Sequence, residues 1–488
     1  MPRPALGLTL LLIACSPPAP PAPPPSPAAV SALPTTSAGP PSPASSTAAV
    51  PATAAEPTQA TVAWQVELAR GTEHGVRSVA RVGDAIWATG WYGDPAGAQA
   101  ERSTSLPFRE GNFDPFLAAI TGDGKIAWEQ QLAGALGASI ALSTDGEVLL
   151  AGEFVGELKG ALVPRSPVLH AFVSKIGAAS RRATWTSGPN TMDIEHAWKI
   201  APAPDGGAYL ASELHAVARR PGEPSSLGSE DVLVSRYDAA GKRLWRTVIG
   251  SARSDWPRGL AALPGGDVVV GGVFDAPYAY DSNASTRSTG FITRVGADGS
   301  VKWDKRFGGP GVSFVGGVAA SAQGHVFLLG VTSGDVTLGA RAYHTEGLHD
   351  LIVAELSDDG EVLWVKRLGS TRSALTDGRY HARSHLLLQG GGAEANYLPR
   401  FGNGFMPEGI SVAPDGTIAV GGGFVDPATI GDQALGAAKA YTGFVASLRA
   451  DGSARWISTA CADVEDVLAQ NDGVVVACTK TVMKLAGK

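Results

Sequence analysis

The feature that most constrains this chain is a tryptophan that returns at nearly even spacing. Trp64, Trp128, Trp185, Trp245, Trp303, Trp364 and Trp456 are separated by 64, 57, 60, 58, 61 and 92 residues, a period near sixty with one enlarged gap. Most of them follow an Asp-Gly or similar turn, as in Gly122-Asp123-Gly124, Ala297-Asp298-Gly299 and Asp358-Asp359-Gly360. Before each turn stands a short apolar strand, such as Phe116 to Ile120 or Phe291 to Val295. Such turns supply the positive backbone dihedrals that tight hairpins need.

A second hairpin alternates with the first. Ser139 to Leu142 with Glu147 to Gly152, Ile200 to Pro204 with Ala208 to Ser212, and Gly259 to Leu263 with Asp267 to Gly271 are three of its seven copies. Two hairpins per period give four antiparallel strands, and seven periods predict an all-β, seven-bladed β-propeller with four-stranded blades. A β-sandwich would not repeat at sixty residues, and a solenoid coil needs only about 20 to 30. The Trp strand is read as the outermost of each blade. Thr61 to Leu68 is then an orphan outer strand, and the chain ends at Val482 to Leu485 one strand short. Pairing of the N- and C-terminal strands is therefore expected to close the ring and remove two exposed edges. The tryptophans themselves are read as packing between blades, not as a repeated stacking platform.

Ahead of the repeats lie two segments of different character. Residues 1–15 read as a processing signal: one basic side chain, the apolar run Ala5 to Ala14, then Cys15. Leu12-Ile13-Ala14-Cys15 resembles the lipobox of bacterial lipoproteins, which implies a lipid on Cys15, an anchor of several acyl chains and, with Ser16 following, an outer-membrane address. The alternative is an ordinary secretory signal in which Cys15 is incidental. Residues 16–60 hold fourteen prolines and a single charge, Glu56, a composition that cannot repay the entropy of folding. It reads as a semi-rigid spacer reaching on the order of 140 Å at ~3.1 Å per residue. The propeller is assigned to residues 61–488, with an insertion at about 371–405.

The strand ending in Lys, the turn, the Trp, and Gly-x-Phe after the inner hairpin (Gly152-Glu-Phe154, Gly272-Val-Phe274) resemble the bacterial β-propeller repeat families of secreted and surface proteins. More distantly they are similar to quinoprotein-type propellers. The resemblance covers roughly 61–488 and implies the fold. A quinoprotein would imply a quinone, calcium and a catalytic Asp, but no vicinal cysteine pair or Asp and Asn metal cluster is found. No cofactor and no metal are expected on that ground.

Catalytic motifs are also missing. The nine histidines are scattered, no nucleophile elbow or phosphate loop is present, and a net charge of -7 gives no reason to expect nucleic acid. Asp114, Asp231 and Asp350 recur before equivalent strands, which fits backbone capping. Cys461 and Cys478 flank the last inner hairpin, so an oxidising compartment would favour a disulfide there, with two buried thiols as the alternative. Long segments leave from equivalent points, among them His215 to Glu230, Ser333 to His349 and Asp426 to Tyr441, which gathers them on one face. Binding residues are therefore sought in loops: Tyr397, Arg400, Phe401 and Phe405 in the insertion, and His344 and His349 in one loop. The sequence reads best as a lipid-anchored, non-enzymatic propeller of the cell envelope that binds a protein or glycan partner. A scaffold subunit of an envelope complex is the alternative, and a propeller lyase, glycosidase or quinoprotein-like dehydrogenase a more distant one.

Overall fold

The computed structural model describes residues 60–68, 73–93, 113–131, 135–156, 166–188, 193–215, 226–275, 288–309, 311–339, 341–345, 349–371, 405–424, 428–430, 433–435, 442–462 and 464–487. Among them every helix or strand is a strand. The chain opens with β1 (Ala60–Glu67). Blade 1 is β2 (Glu73–Val82), β3 (Ala85–Gly93), β4 (Phe113–Ile120) and β5 (Ile126–Gln131). Blade 2 is β6 (Ala135–Leu142), β7 (Val148–Gly156), β8 (Ser166–Ile176) and β9 (Ala183–Ser187). Blade 3 is β10 (Ile194–Pro202), β11 (Ala208–His215), β12 (Asp231–Tyr237) and β13 (Arg243–Ile249). Blade 4 is β14 (Trp256–Ala262), β15 (Val268–Phe274), β16 (Thr289–Val295) and β17 (Val301–Phe307).

In blade 5, β18 (Phe314–Ala320) and β19 (Val326–Thr332) are followed by a hairpin of β20 (Asp335–Leu338) and β21 (Arg341–His344) before β22 (His349–Leu356) and β23 (Val362–Thr371) complete the sheet. Blade 6 is likewise interrupted: β24 (Phe405–Val412) and β25 (Ile418–Phe424) precede β26 (Ala428–Ile430) and β27 (Gln433–Leu435), then β28 (Thr442–Leu448) and β29 (Ala454–Thr459). Blade 7 has β30 (Val464–Gln470), β31 (Gly473–Cys478) and β32 (Thr481–Gly487), and its fourth strand is β1. β1 runs antiparallel to β32 from Ala60↔Gly487 to Glu67↔Thr481. Closure of the ring by its two ends is thus as the sequence predicts.

Two segments expected to be loops carry strands. β20 and β21 pair from Asp335↔His344 to Leu338↔Arg341, with Val336 and Leu338 buried beneath them. β26 reaches across to the outer strand of blade 5, pairing Gly369↔Ile430. Both are runs of three or four residues, too short to show periodicity in the sequence.

The middle strands are buried on both sides because each sheet is sandwiched between two others. β12, β15 and β25 are buried along their whole length, and β15 and β25 read as continuous apolar or small residues instead of alternating ones. Outer strands such as β17 stay partly exposed and alternate. Seven apolar clusters fill the seven junctions between blades. The one between blades 3 and 4 joins Val232, Val234 and Tyr209 to Val268, Val270 and Phe291. The junction that closes the ring joins Val76, Ile86 and Phe116 of blade 1 to Val475, Ala477 and Val482 of blade 7. Burying one such Phe or Val side chain contributes about 1.5–3 kcal/mol.

Strand direction gives the ring two unlike faces. Turns between the first and second strands of a blade, and between the third and fourth, fall on one face, called here the turn face. Links from second to third strand and from one blade to the next fall on the other, the loop face. On the turn face the outer Trp lies against the turn of the following blade, except Trp456, which lies against Gly487 at the end of β32. A Cβ on Gly241 would stand 2.6 Å from the Trp185 ring, and one on Gly299 2.9 Å from Trp245. Both glycines have positive φ, +82° and +84°, so the turn conformation and the close approach of the ring both call for glycine. Trp185 and Trp245 also donate from Nε1 to the carbonyls of Ala239 and Ala297, each at 2.8 Å. Blade 2 has no glycine there: Arg181 takes the left-handed conformation (φ 58°) and lays its guanidinium 4.8 Å from the Trp128 ring.

Candidate functional site

All seven innermost strands carry a β-bulge at the same place, between Val76 and Ser78 in β2, Ala197 and Lys199 in β10, Pro257 and Gly259 in β14, and Pro407 and Gly409 in β24. The extra residues are Arg77, Ala138, Trp198, Arg258, Gly316, Glu408 and Glu465. A bulge re-aims a side chain, and here it brings charge to the axis. Arg258, Lys199, Glu408 and Asp466 line an axial cavity of about 120 Å³ together with Ser78 and Ser139. Burial pushes the Glu408 carboxyl up, against the pull of Arg258, Lys199 and Arg77. Arg77 pairs with Glu465 at 3.7 Å, and Arg258 stacks 5.3 Å from the Trp198 ring. Asp466 accepts from Ser78 Oγ at 2.8 Å and from the Val79 amide at 3.2 Å, tying blade 7 to blade 1. Three cations thus face three carboxylates. The space is below the ~300 Å³ at which small-molecule sites begin, and its lining carries cations and carboxylates in equal number.

A second polar group lies on the loop face where blades 2, 3 and 4 meet. His196 and Glu213 are directly paired across β10 and β11, and Glu213 and His215 are two apart on one strand. Strand geometry therefore puts all three on one side of the sheet. Their ligating atoms lie within 4.8 Å of one another. His215 Nε2 is 2.6 Å from Glu213 Oε1, and its Nδ1 is 3.6 Å from Glu230 Oε1. From blade 2, Glu153 brings Oε1 to 3.5 Å from His196 Nδ1. Two indoles orient the acids: Trp198 Nε1 donates to Glu213 Oε2 at 3.3 Å, and Trp256 Nε1 to Glu230 Oε2 at 2.9 Å. Burial opposes a charged His196, but Glu153, Glu213 and Glu230 outweigh it and lift its pKa to about 9. Glu213, buried as well, is held below its usual range by its bond to His215 and by the nearby His196. Burial and Glu213 push Glu230 up.

Beside this group two aspartates cap backbone turns. Asp231 Oδ2 accepts from the amides of Leu227 at 2.6 Å and Gly228 at 3.1 Å, the capping expected of it. Asp255 accepts from the Ser251 amide, Ser251 Oγ at 3.0 Å and the Asp275 amide at 2.9 Å. Burial, and the charge of Asp231, push Asp255 up to about 7. Asp350 accepts from Tyr343 Oη at 3.0 Å.

The sequence-derived candidates fall elsewhere. Cys15, Tyr397, Arg400 and Phe401 lie outside the described residues, as does the insertion between Thr371 and Phe405. Phe405 is the first residue of the innermost strand of blade 6, paired with Phe424. His344 and His349, read from sequence as one loop, sit on different strands. His344 is exposed and pairs with Asp335, while His349 opens β22, where burial lowers its pKa. The structure joins Cys461 to Cys478 by a disulfide, Cα to Cα 6.1 Å, at the loop-face end of blade 7. The residues the sequence missed are His196, His215, Glu213 and Glu153, along with the bulged residues of the axis. Aligning the seven inner strands would have shown Arg77, Arg258, Glu408 and Glu465 in one column.

No protein-family model and no curated protein sequence matches the chain. Among solved structures it is similar to virginiamycin B lyase from Staphylococcus aureus, at 10% identity over 87% of this chain and 98% of that one, with a TM-score of 0.42. It is also similar to BamB from Moraxella catarrhalis (11% identity, 88% and 99% covered, TM-score 0.41). A third is YCF48 bound to D1 peptide (10% identity, 89% and 99% covered, TM-score 0.41). At these identities and scores they assign neither a family nor an activity.

Proposed function

We propose that the chain is a non-enzymatic propeller of the bacterial envelope, lipid-anchored through Cys15, that engages a protein or glycan partner with its loop face. The observation that carries this reading is the small, charge-balanced axial cavity. At about 120 Å³, lined by two cations and two carboxylates, it is small for a substrate. Variation between blades is concentrated on the loop face, where rigid strands hold unequal connections, the usual arrangement for recognition. Leu227, 61% exposed, stands there beside the Asp231 turn.

Photo-crosslinking residues at Leu227 and Asp335 on the loop face, and at Gln323 and Asp451 on the turn face, test this in the native envelope. Adducts from the loop-face positions alone are expected, unchanged by Glu408→Gln in the channel. Equal adducts from both faces would overturn the assignment of the face, and loss of partner capture in Glu408→Gln would return the axis to consideration. The anchor is tested separately by labelled-palmitate incorporation, which Cys15→Ser should abolish.

A further inference from the structure

The loop-face group gathers three buried carboxylates whose charge is balanced by histidines alone. On the turn face, carboxylates mostly meet full cations: Arg236 lies 2.6 Å from Asp205, and Arg294 2.7 Å from Asp267, while Glu355 is a single carboxylate on His325. Even the buried Glu195, next to His196 in sequence, is paired with Arg246 at 2.7 Å. Glu153, Glu213 and Glu230 pair with no Lys or Arg among the described residues, and their ion-pair partners are His196 and His215. With neutral imidazoles the five groups carry three negative charges; with both protonated they still carry one. Burying such an excess is costly unless a cation joins it. A second observation is independent of the charge count. Glu153 is 3% exposed, and its Oε2 has no hydrogen-bond partner although Oε1 faces His196. Buried carboxylate oxygens are seldom left unsatisfied.

We propose that His196, Glu213 and His215 form a binding site for one divalent transition-metal ion of the Zn²⁺ class, with Glu153 and Glu230 beside it as additional or orienting carboxylates. Two imidazoles and a carboxylate are a borderline donor set that suits Zn²⁺ and its neighbours. Ca²⁺, by contrast, requires six or more oxygens. Ligands about 2.1 Å from one tetrahedral ion stand ~3.4 Å apart, and the present separations, from 2.6 Å between His215 Nε2 and Glu213 Oε1 to within 4.8 Å for the whole set, bracket that spacing. The Trp198 and Trp256 indoles already fix the outer oxygens of Glu213 and Glu230, the kind of support that metal-ligating groups receive. Ligation would tie Glu153 of blade 2 to the β10–β11 hairpin of blade 3 and stiffen the loop face where three blades meet.

The test uses the full chain, free of any affinity tag and stripped by chelator, titrated with Zn²⁺ and with Co²⁺ as a spectroscopic substitute. One equivalent of Zn²⁺ should survive desalting, and bound Co²⁺ should show visible bands of nitrogen and oxygen ligation. Glu213→Gln and His215→Gln should each weaken Zn²⁺ by about 100-fold or more, and Glu153→Gln by about 10-fold. Failure of the wild-type chain to retain stoichiometric metal overturns the proposal, as does unchanged affinity in both ligand variants. Should a variant fail to fold, diethylpyrocarbonate labelling of the wild type decides. Selective protection of His196 and His215 by Zn²⁺ supports the site, and unaltered labelling of both refutes it.

Discussion

On the turn face, blades 1 and 3 to 6 repeat the same parts, a glycine at positive φ and a tryptophan ring laid on it from the preceding blade, and blades 3 and 4 add a carboxylate answered by Arg. On the loop face the described connections diverge, although blades 3 and 4 share a parallel bridge to the segment that opens the next blade, Glu230↔Ser254 and Ser288↔Val312. Blade 3 buries a histidine pair among glutamates, blade 5 raises a short ribbon, and blade 6 sends a strand to its neighbour. Regularity marks the face where local geometry holds the ring together, and irregularity the face where specific groups are carried. If that contrast is sound, changes on the turn face should cost stability and spare binding, while changes on the loop face should do the reverse.

The sharpest challenge is Gly241→Val. A side chain there meets both left-handed strain, about 1–2 kcal/mol, and the Trp185 ring 2.6 Å away. A loss of roughly 4 kcal/mol in denaturant unfolding is expected, with partner crosslinking from Leu227 intact in the folded fraction. A loss below about 1 kcal/mol would mean the Trp-on-turn contact is not what holds adjacent blades together. Next comes the Cys461–Cys478 disulfide, the one covalent fastening on the loop face among the described residues. It closes a loop of separation 17, so replacing both cysteines by serine should cost about 3 kcal/mol. Mass mapping without reductant would show whether the exported chain carries the bond, and two free thiols would remove this exception.

The last test concerns Asp255 and is read as a slope against pH. Its folded pKa, about 7, lies above the ordinary 3.8, so the native state holds the proton more tightly than the unfolded chain does. That contribution is complete below about pH 4 and is lost as pH rises through 7. Between pH 5 and 6 it gives a falling slope of about 1.4 kcal/mol per pH unit. Asp255→Asn should flatten melting temperature against pH across this window, and an unchanged slope would show that Asp255 titrates normally.

What the sequence disclosed follows the same division. The Trp and Asp-Gly signals are local, and local signals survive in a string of letters. Seven blades, the outer position of Trp128 and its counterparts, and the closing role of Thr61 to Leu68 were all readable from them. The loop-face group was not. His196 meets Glu213 only because the bulge between Ala197 and Lys199 shifts the register, and Glu153 arrives from another blade altogether. Most of the axial charges were hidden for the same reason, since Arg77, Arg258, Glu408 and Glu465 sit on residues that a regular hairpin count leaves out.

The closing strand has a mechanical consequence. β1 runs from the turn face at Ala60 to the loop face at Glu67, so its first residue stands on the side opposite the irregular loops. A pull transmitted through residue 59 while the loop face is held would act along the axis of β1. It would load the register from Ala60↔Gly487 to Glu67↔Thr481 in shear, all pairs together, and not peel them one at a time. The ring would then resist tension best when it is applied along β1.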